Sequence, residues 1–214
     1  MTTMWRPSWL VGCLLLILAS SQATAAPGSR VAELVASNDA EALRGLGPKA
    51  LPEMVRLYKA GDTAQRTRIA NLFYQLSWKS PEAVDILIPD VRTQDPELRI
   101  AVQYALGRVS DDPRVVEALL RNMTQDPNPL FRDKAACALA YDQVHLSEAE
   151  KVRLYEGLIE ALASEELQIR AIAIQALHIH TGQAKGFLPN APLEMRQKSI
   201  EQWKRWLAEY KENL

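Results

Sequence analysis

The 214-residue chain has 25 basic and 26 acidic residues, which gives a net charge of −1, and 48% of its residues are hydrophobic. A protein with such a balanced charge lacks the basic surface typical of nucleic-acid-binding proteins, so we expect no nucleic-acid partner. The apolar content is sufficient for a substantial core in a chain of this length.

The N-terminus has the pattern of a secretory signal peptide. One basic residue, Arg6, precedes an apolar run of about ten residues, the usual length of a signal-peptide core. Small residues at Ala23 and Ala25 fit the cleavage site. We therefore predict a signal peptide over residues 1–25, cleavage after Ala25, and a periplasmic or secreted mature protein whose residues 26–214 form a single domain.

Cys13 leaves a second interpretation of this N-terminus open. Leu10-Val11-Gly12-Cys13 resembles a bacterial lipobox, whose cysteine is lipidated. A lipobox closes the apolar region, whereas here most of the apolar residues follow the cysteine, so ordinary cleavage is favoured. We expect membrane association only if Cys13 carries lipid.

The mature chain reads as a succession of short helices. A frayed helical cap over 29–47 precedes repeats that extend from about 48 to 181, and a loop and a final helix occupy 182–214. Ser80-Pro81 and Asp112-Pro113 each place proline at the first position of a helix, where its missing N–H has no cost. Strand signals are nearly absent, because no sustained two-residue alternation of apolar and polar residues occurs.

Four arginines mark the repeat. They are separated by 33, 33 and 38 residues, and the third, sixth and seventh residue after each is apolar, which places one buried stripe on each helix. The arginines are Arg66, Arg99, Arg132 and Arg170. Four residues before them lie helix-start residues, namely Asp62, Asp95, Asn128 and Glu166. We interpret the arginines as structural residues that bind these groups one turn away, and carbonyl groups within and between repeats.

The repeat resembles a known family. Residues 94–107, QDPELRIAVQYALG, are similar to a HEAT-like repeat of the short type also found in phycobilisome lyases, and residues 125–140 and 167–177 are looser copies. The resemblance implies an all-α, right-handed α-solenoid of stacked helix pairs with a C-terminal capping helix. It is weak evidence for function, because this repeat has many unrelated roles.

The end of the chain departs from the repeat. A Gly- and Pro-rich loop over 182–192 leads into a final helix that carries Trp203 and Trp206, an ending that resembles exported bacterial HEAT-like proteins. We predict that this helix covers the last apolar face of the solenoid. A partner-binding tryptophan patch is the alternative, because tryptophan is common at binding hot spots.

The sequence offers little chemistry for an enzyme. His178 and His180 diverge on a helix, so they cannot bind one metal ion, and Cys137 reads as a small residue at a helix contact. No nucleophile motif or phosphate-binding glycine loop is present. We therefore predict a non-enzyme without a cofactor or metal, and a cofactor-handling or lyase-like factor is the alternative that the family resemblance suggests.

The predicted function is protein binding by an exported scaffold or adaptor. Positions five, eight and nine residues after the arginines lie opposite the buried stripe and are rich in tyrosine, amide and arginine side chains, a composition suited to protein recognition. The candidate binding residues are Asn71, Tyr74, Tyr104, Arg108, Tyr141, Gln175 and His178, with Trp203 and Trp206 on the final helix. The partner's identity and the oligomeric state stay open.

Overall fold

The computed structural model of the protein describes Met1 and residues 27–214. The predicted signal peptide, Cys13 and the cleavage site after Ala25 lie outside these residues. Within residues 27–214 the chain forms α-helices and two short 3₁₀ segments, and it has no strand there. None of the helices in this described part is both long and apolar enough to cross a membrane.

The helices of the described residues form two stacked layers. They are α1 (Pro27–Ala36), α2 (Ala40–Leu46), α3 (Leu51–Ala60), α4 (Thr63–Leu76), α5 (Pro81–Leu87), α6 (Pro96–Val109), α7 (Pro113–Gln125), α8 (Pro129–Tyr141), α9 (Glu148–Ala161), α10 (Leu167–Thr181) and α11 (Leu193–Glu212). Odd-numbered helices pack on one another in the first layer, where the 3₁₀ segment Ile88–Arg92 bridges α5 to α7. Even-numbered helices form the second layer. The architecture is an all-α solenoid of five helix pairs, which α11 extends.

The predicted helix starts are confirmed at several positions. Asp62 Oδ1 accepts a hydrogen bond from the Gln65 amide at 2.8 Å, and Asp95 Oδ1 accepts one from the Leu98 amide at 2.9 Å. Each bond satisfies one of the amide groups that a helix leaves unpaired at its N-terminus. Proline follows the N-cap residue of α5, α6, α7 and α8, as the sequence predicts for α5 and α7.

The buried stripe is also confirmed. All of its residues in the four arginine-bearing helices are at most 1% exposed. They are Ile69, Leu72 and Phe73 in α4, Val102, Ala105 and Leu106 in α6, Ala135, Ala138 and Leu139 in α8, and Ala173, Ala176 and Leu177 in α10. Because complete burial of one leucine-sized side chain is worth about 1.5–3 kcal/mol, this stripe is a main source of stability.

Each of the four arginines that mark the repeat (the anchor arginines) contacts the junction with the next helix pair. Arg66 lies 3.4 Å from the carboxylate of Asp90, in the 3₁₀ segment that precedes α6. Arg99 pairs with the buried carboxylate of Asp126 between α7 and α8. Arg132 donates to Gln168 at 2.7 Å, and Arg170 donates to the Pro189 carbonyl at 2.7 Å. The arginines therefore link consecutive repeats, as the sequence predicts.

Three of the arginines also bind backward, to carbonyl groups within their own repeat, as the sequence interpretation predicts. Their guanidinium groups donate to carbonyl oxygens five or six residues earlier, in the loop before the helix. The bonds run from Arg66 to Gly61 O at 3.1 Å, from Arg132 to Asp126 O at 2.9 Å, and from Arg170 to Ser164 O at 2.8 Å. This contact replaces the predicted side-chain pairing with the residue four positions earlier. The side chains of Asp62 and Asn128 cap their own helices, and the carboxylate of Glu166 lies 3.2 Å from Arg132 of the preceding repeat.

Candidate protein-binding surface

The exposed side of α4, α6, α8 and α10 is called here the second-helix face. It carries most of the predicted binding residues. Asn71, Tyr141, Gln175 and His178 are exposed, whereas Tyr74, Tyr104 and Arg108 are partly buried. The solenoid aligns equivalent positions of successive helices, so these side chains share one surface.

Tyr74 and Tyr104 form an aromatic pair on this face. Their ring centroids are 6.0 Å apart at an interplanar angle of 51°. The guanidinium of Arg108 lies over the Tyr74 ring, 4.4 Å from its centroid. Burial raises the pKa of Tyr104 above its usual value, so its phenol is neutral at physiological pH. The cluster offers aromatic surface and hydroxyl groups, and it has no ionised nucleophile.

The guanidinium of Arg108 is largely engaged by other residues of the protein. Its Nε donates to Asp142 Oδ1 at 2.9 Å, and its two terminal nitrogens lie 3.4 Å from Ser77 Oγ and from the Tyr74 hydroxyl. Burial raises the pKa of Asp142, although the guanidinium of Arg108 opposes this shift. Arg108 thus connects the end of α4 with the loop after α8, and this contact limits what it can offer to a partner.

The loop after α8 comes close to α6 at Gly107. A Cβ atom at this position would lie 2.8 Å from the Asp142 carbonyl oxygen and 2.5 Å from the Gln143 side chain. The Val144 amide donates to the Gly107 carbonyl at 3.3 Å, and His145 Nε2 lies 3.0 Å from the Ser77 carbonyl. Glycine at 107 is therefore what allows this loop to close the end of the second-helix face.

A groove of about 560 Å³ lies beside α4 on the second-helix face. Its lining consists of Asn38, Ala64, Thr67, Arg68, Asn71, Tyr74 and Gln75. Within the part of the chain that the structure describes, the side chains of Asn38, Arg68, Asn71 and Gln75 have no hydrogen-bond or ion-pair partner. We name this set of four the α4 polar cluster, and its donors and acceptors are free for a ligand.

Sequence reasoning found only one member of the α4 polar cluster, Asn71. It missed Arg68, which lies two residues after an anchor, and Asn38, which comes from the junction of α1 and α2. Asn38 has a φ of 55°, a left-handed conformation that asparagine tolerates better than most residues. One signal was available in the sequence, since the segment 63–76 contains two arginines and no acidic residue.

The other half of the face, between α8 and α10, is nearly closed. Its crevice has a volume of about 60 Å³ and is lined mainly by small and aliphatic residues around Cys137. Burial raises the pKa of the Cys137 thiol, which disfavours the reactive thiolate. This arrangement fits the predicted packing role of Cys137.

The tryptophans of α11 differ in accessibility. Trp203 is fully buried, so its side chain has no surface for a partner in this structure. Trp206 is partly buried in an aromatic cluster, with its ring centroid 5.3 Å from that of Tyr155. The hydroxyl of Tyr210 in this cluster donates to Glu148 at 2.5 Å, which raises the pKa of Tyr210 to about 12. Helix α11 packs on α9, as expected for a capping helix.

Histidine and acidic side chains do not assemble into a metal centre in the described residues. His180 Nε2 donates to the Leu139 carbonyl at 2.8 Å, and burial lowers the pKa of its imidazole. This histidine links α10 to α8, whereas His178 is exposed.

Comparison with known families finds a match in the central part of the solenoid. Residues 56–140 match the family model of HEAT repeats. The matched segment begins within α3 and ends within α8, so it contains α4, α6 and the aromatic pair. No curated protein is significantly similar to the chain. The chain is therefore similar to HEAT-repeat proteins, which commonly use an extended surface of stacked helices for binding.

Proposed function

We propose that the protein is an exported, non-catalytic scaffold that binds another protein through its second-helix face. The observation that carries this proposal is the α4 polar cluster, whose four side chains have no partner in the described residues. The N-terminal signal-peptide pattern supports export to the periplasm or the medium.

The shape and chemistry of this face favour protein binding. Aromatic and arginine side chains are enriched at protein interfaces, and both occur beside the groove, in the Tyr74–Tyr104 pair and at Arg68. A stacked helical surface is ordered before binding, so little of the binding free energy is lost in ordering the scaffold. The groove lining contains no acid, histidine or cysteine, and this composition favours recognition over acid–base or nucleophilic catalysis.

Site-specific photo-crosslinking in the native host tests this proposal. A photoreactive amino acid at Asn71 lies in the groove beside α4. The matched control places it at Gln125, another amide residue, which lines a groove of about 520 Å³ between α7 and α9 in the first layer. A third variant carries it at the exposed Arg205 of α11.

We expect a discrete protein adduct from position 71 and none from position 125. Adduct formation only from position 205 would move the binding site to α11 and contradict the proposed surface. If none of the three positions forms an adduct under conditions in which the protein is folded and exported, the scaffold proposal is wrong.

A further inference from the structure

We infer that the groove beside α4 binds an extended peptide segment of the partner through the carboxylate side chains of that segment. The inference rests on the proposed function, because it specifies the partner chemistry of the same surface. Three features of the groove support it, namely its charge, its amide side chains and its aromatic end.

The charge of the groove favours a carboxylate ligand. Of its lining residues only Arg68 is charged, and this guanidinium has no ion pair within the described residues. The neighbouring arginine of the same helix, Arg66, is already engaged by Asp90 and by the Gly61 carbonyl. An arginine free of acidic neighbours is a strong site for a carboxylate, because a guanidinium can donate two parallel hydrogen bonds to it.

Residues at the rim of the groove add to this preference. The Arg44 side chain donates to the Gln75 carbonyl at 3.0 Å, which places a second positive charge at the edge of the groove. The acid that follows Asn38 in the chain, Asp39, does not line the groove. It is the N-cap of α2 and accepts a hydrogen bond from the Ala42 amide at 2.9 Å. The local field therefore favours an acidic segment.

The amide side chains match an extended backbone. Arg68, Asn71 and Gln75 are three and four residues apart, so they follow one row along α4. This row is about 10 Å long at 1.5 Å per residue, which corresponds to about three residues of an extended peptide. Each amide can donate to a peptide carbonyl and accept from a peptide N–H, and Asn38 offers the same groups from the α1–α2 junction.

The aromatic end of the groove supplies the apolar part of the site. Tyr74 lines the groove and is held in place by its contact with Tyr104, so an aliphatic side chain next to the carboxylate can lie against the Tyr74 ring. The first-layer groove between α7 and α9 lacks this chemistry. It contains Glu117 and Glu160, and its arginine, Arg121, already pairs with Glu117 at 2.7 Å. A carboxylate would be repelled there.

Selection from a random twelve-residue peptide library on the immobilised full-length protein tests the inference. We expect the enriched peptides to be rich in Asp and Glu. Charge reversal with Arg68→Glu should abolish this enrichment or shift it toward Lys and Arg. Arg205→Glu is the matched control, because Arg205 is exposed on α11 and has no ion pair in the described residues, and we expect it to leave the enrichment unchanged.

Fluorescence anisotropy then measures the contribution of the carboxylates. We expect the best acidic peptide to bind about tenfold more tightly than its Asn/Gln counterpart, and Arg68→Gln to weaken the acidic peptide by about the same factor, as for a charge-assisted hydrogen bond. Equal affinity for the neutral peptide, dominance of basic or purely apolar peptides, or no enrichment at all would overturn the inference.

The two proposals fail in different ways. A protein adduct from position 71 without an acidic preference leaves the scaffold proposal standing and rejects the carboxylate inference. Acid-selective, Arg68-dependent peptide binding without any cellular adduct supports the inference and rejects the scaffold role.

Discussion

The α4–α6 half and the α8–α10 half of the second-helix face have the same helix arrangement. The first half has an open groove, whereas the second is nearly closed. On α4, Asn71 and Tyr74 line an open groove, and Tyr74 contacts Tyr104 of α6. The positions equivalent to Tyr74 and Tyr104 on α8 are Ala140 and Cys137, and the crevice there has almost no volume. The groove is therefore a property of the surface residues of one half of the solenoid.

A second difference concerns charge. Lys134 occupies in α8 the position that Arg68 occupies in α4, two residues after the anchor arginine. The ammonium of Lys134 lies 3.1 Å from the carboxylate of Asp133, whereas Arg68 has no ion pair in the described residues. The buried stripe is equally complete in both halves, so the positions that determine the fold leave the exposed positions free to differ. The following substitutions test this separation.

The largest effect is expected where the two halves meet. Arg99→Ala removes the partner of Asp126, whose side chain is completely buried, and leaves an uncompensated carboxylate between α7 and α8. Loss of one member of a buried ion pair typically costs about 3–5 kcal/mol. We expect the free energy of unfolding in urea to fall by about 4 kcal/mol. A loss below 1 kcal/mol would show that Arg99 does not join the halves.

The stripe residue that lies six positions after each anchor arginine provides the next test. It is Leu72 in α4 and alanine in the other three helices. Leu72→Ala should lower the free energy of unfolding by about 3 kcal/mol because it leaves a cavity, and Ala138→Leu should lower it by about 2 kcal/mol because it overpacks the α8 contact. Urea unfolding of both variants measures these losses. If Ala138→Leu has no effect, packing in the second half is looser than the structure shows.

A smaller effect is expected at His180, in the α8–α10 half. Burial lowers the pKa of this imidazole, so the folded state binds fewer protons than the unfolded state in mildly acid solution. The free energy of unfolding should therefore decrease as the pH falls below about 6.5, the ordinary value for histidine. His180→Gln keeps a donor for the Leu139 carbonyl and removes the ionisation. Its urea unfolding between pH 7.5 and 5.5 should depend less on pH than that of the wild type, and identical slopes would contradict this assignment.

The smallest effect on stability is expected at Arg68. Its side chain has no ion pair in the described residues, and surface substitutions of this kind usually change the free energy of unfolding by no more than about 0.5 kcal/mol. Arg68→Gln should therefore unfold at the same urea concentration as the wild type while it binds acidic peptides less tightly. A clear loss of stability would mean that Arg68 holds the fold together.

Most of the fold could be predicted from the sequence because its signals are local. The apolar stripe, the N-cap residues Asp62 and Asp95, and the prolines after Ser80 and Asp112 each act within one helix. The 3₁₀ segment Ile88–Arg92 was missed, because Pro89 interrupts a helix pattern without showing what replaces it. The sequence Ser147-Glu148-Ala149-Glu150 fits a capping box, and the structure has one of its two hydrogen bonds. The Ser147 hydroxyl accepts from the Glu150 amide, while the Glu150 carboxylate lies 3.4 Å from Arg153.

The candidate site was less accessible to sequence reasoning, since it depends on contacts between distant segments. Arg108 and Tyr74 were predicted as binding residues, but Asp142 and Ser77 engage the guanidinium from outside its helix. The sequence places both Trp203 and Trp206 on the final helix, and only the packing of α11 on α9 shows which of the two is buried. Asn38 enters the groove from another helix pair, and no periodicity marks it.

The backward contacts of the arginines have a consequence for how such a chain can grow. A carbonyl oxygen is present at every residue, so this half of the linkage requires only an arginine at the right distance from a loop. Arg196 in α11 makes the same contact with the Ala191 carbonyl at 3.1 Å, although that helix lies outside the regular repeat. A duplicated helix pair would thus bring this internal contact with it. Its link to the next pair would still require a partner in that pair, as Asp90 and Asp126 provide for Arg66 and Arg99.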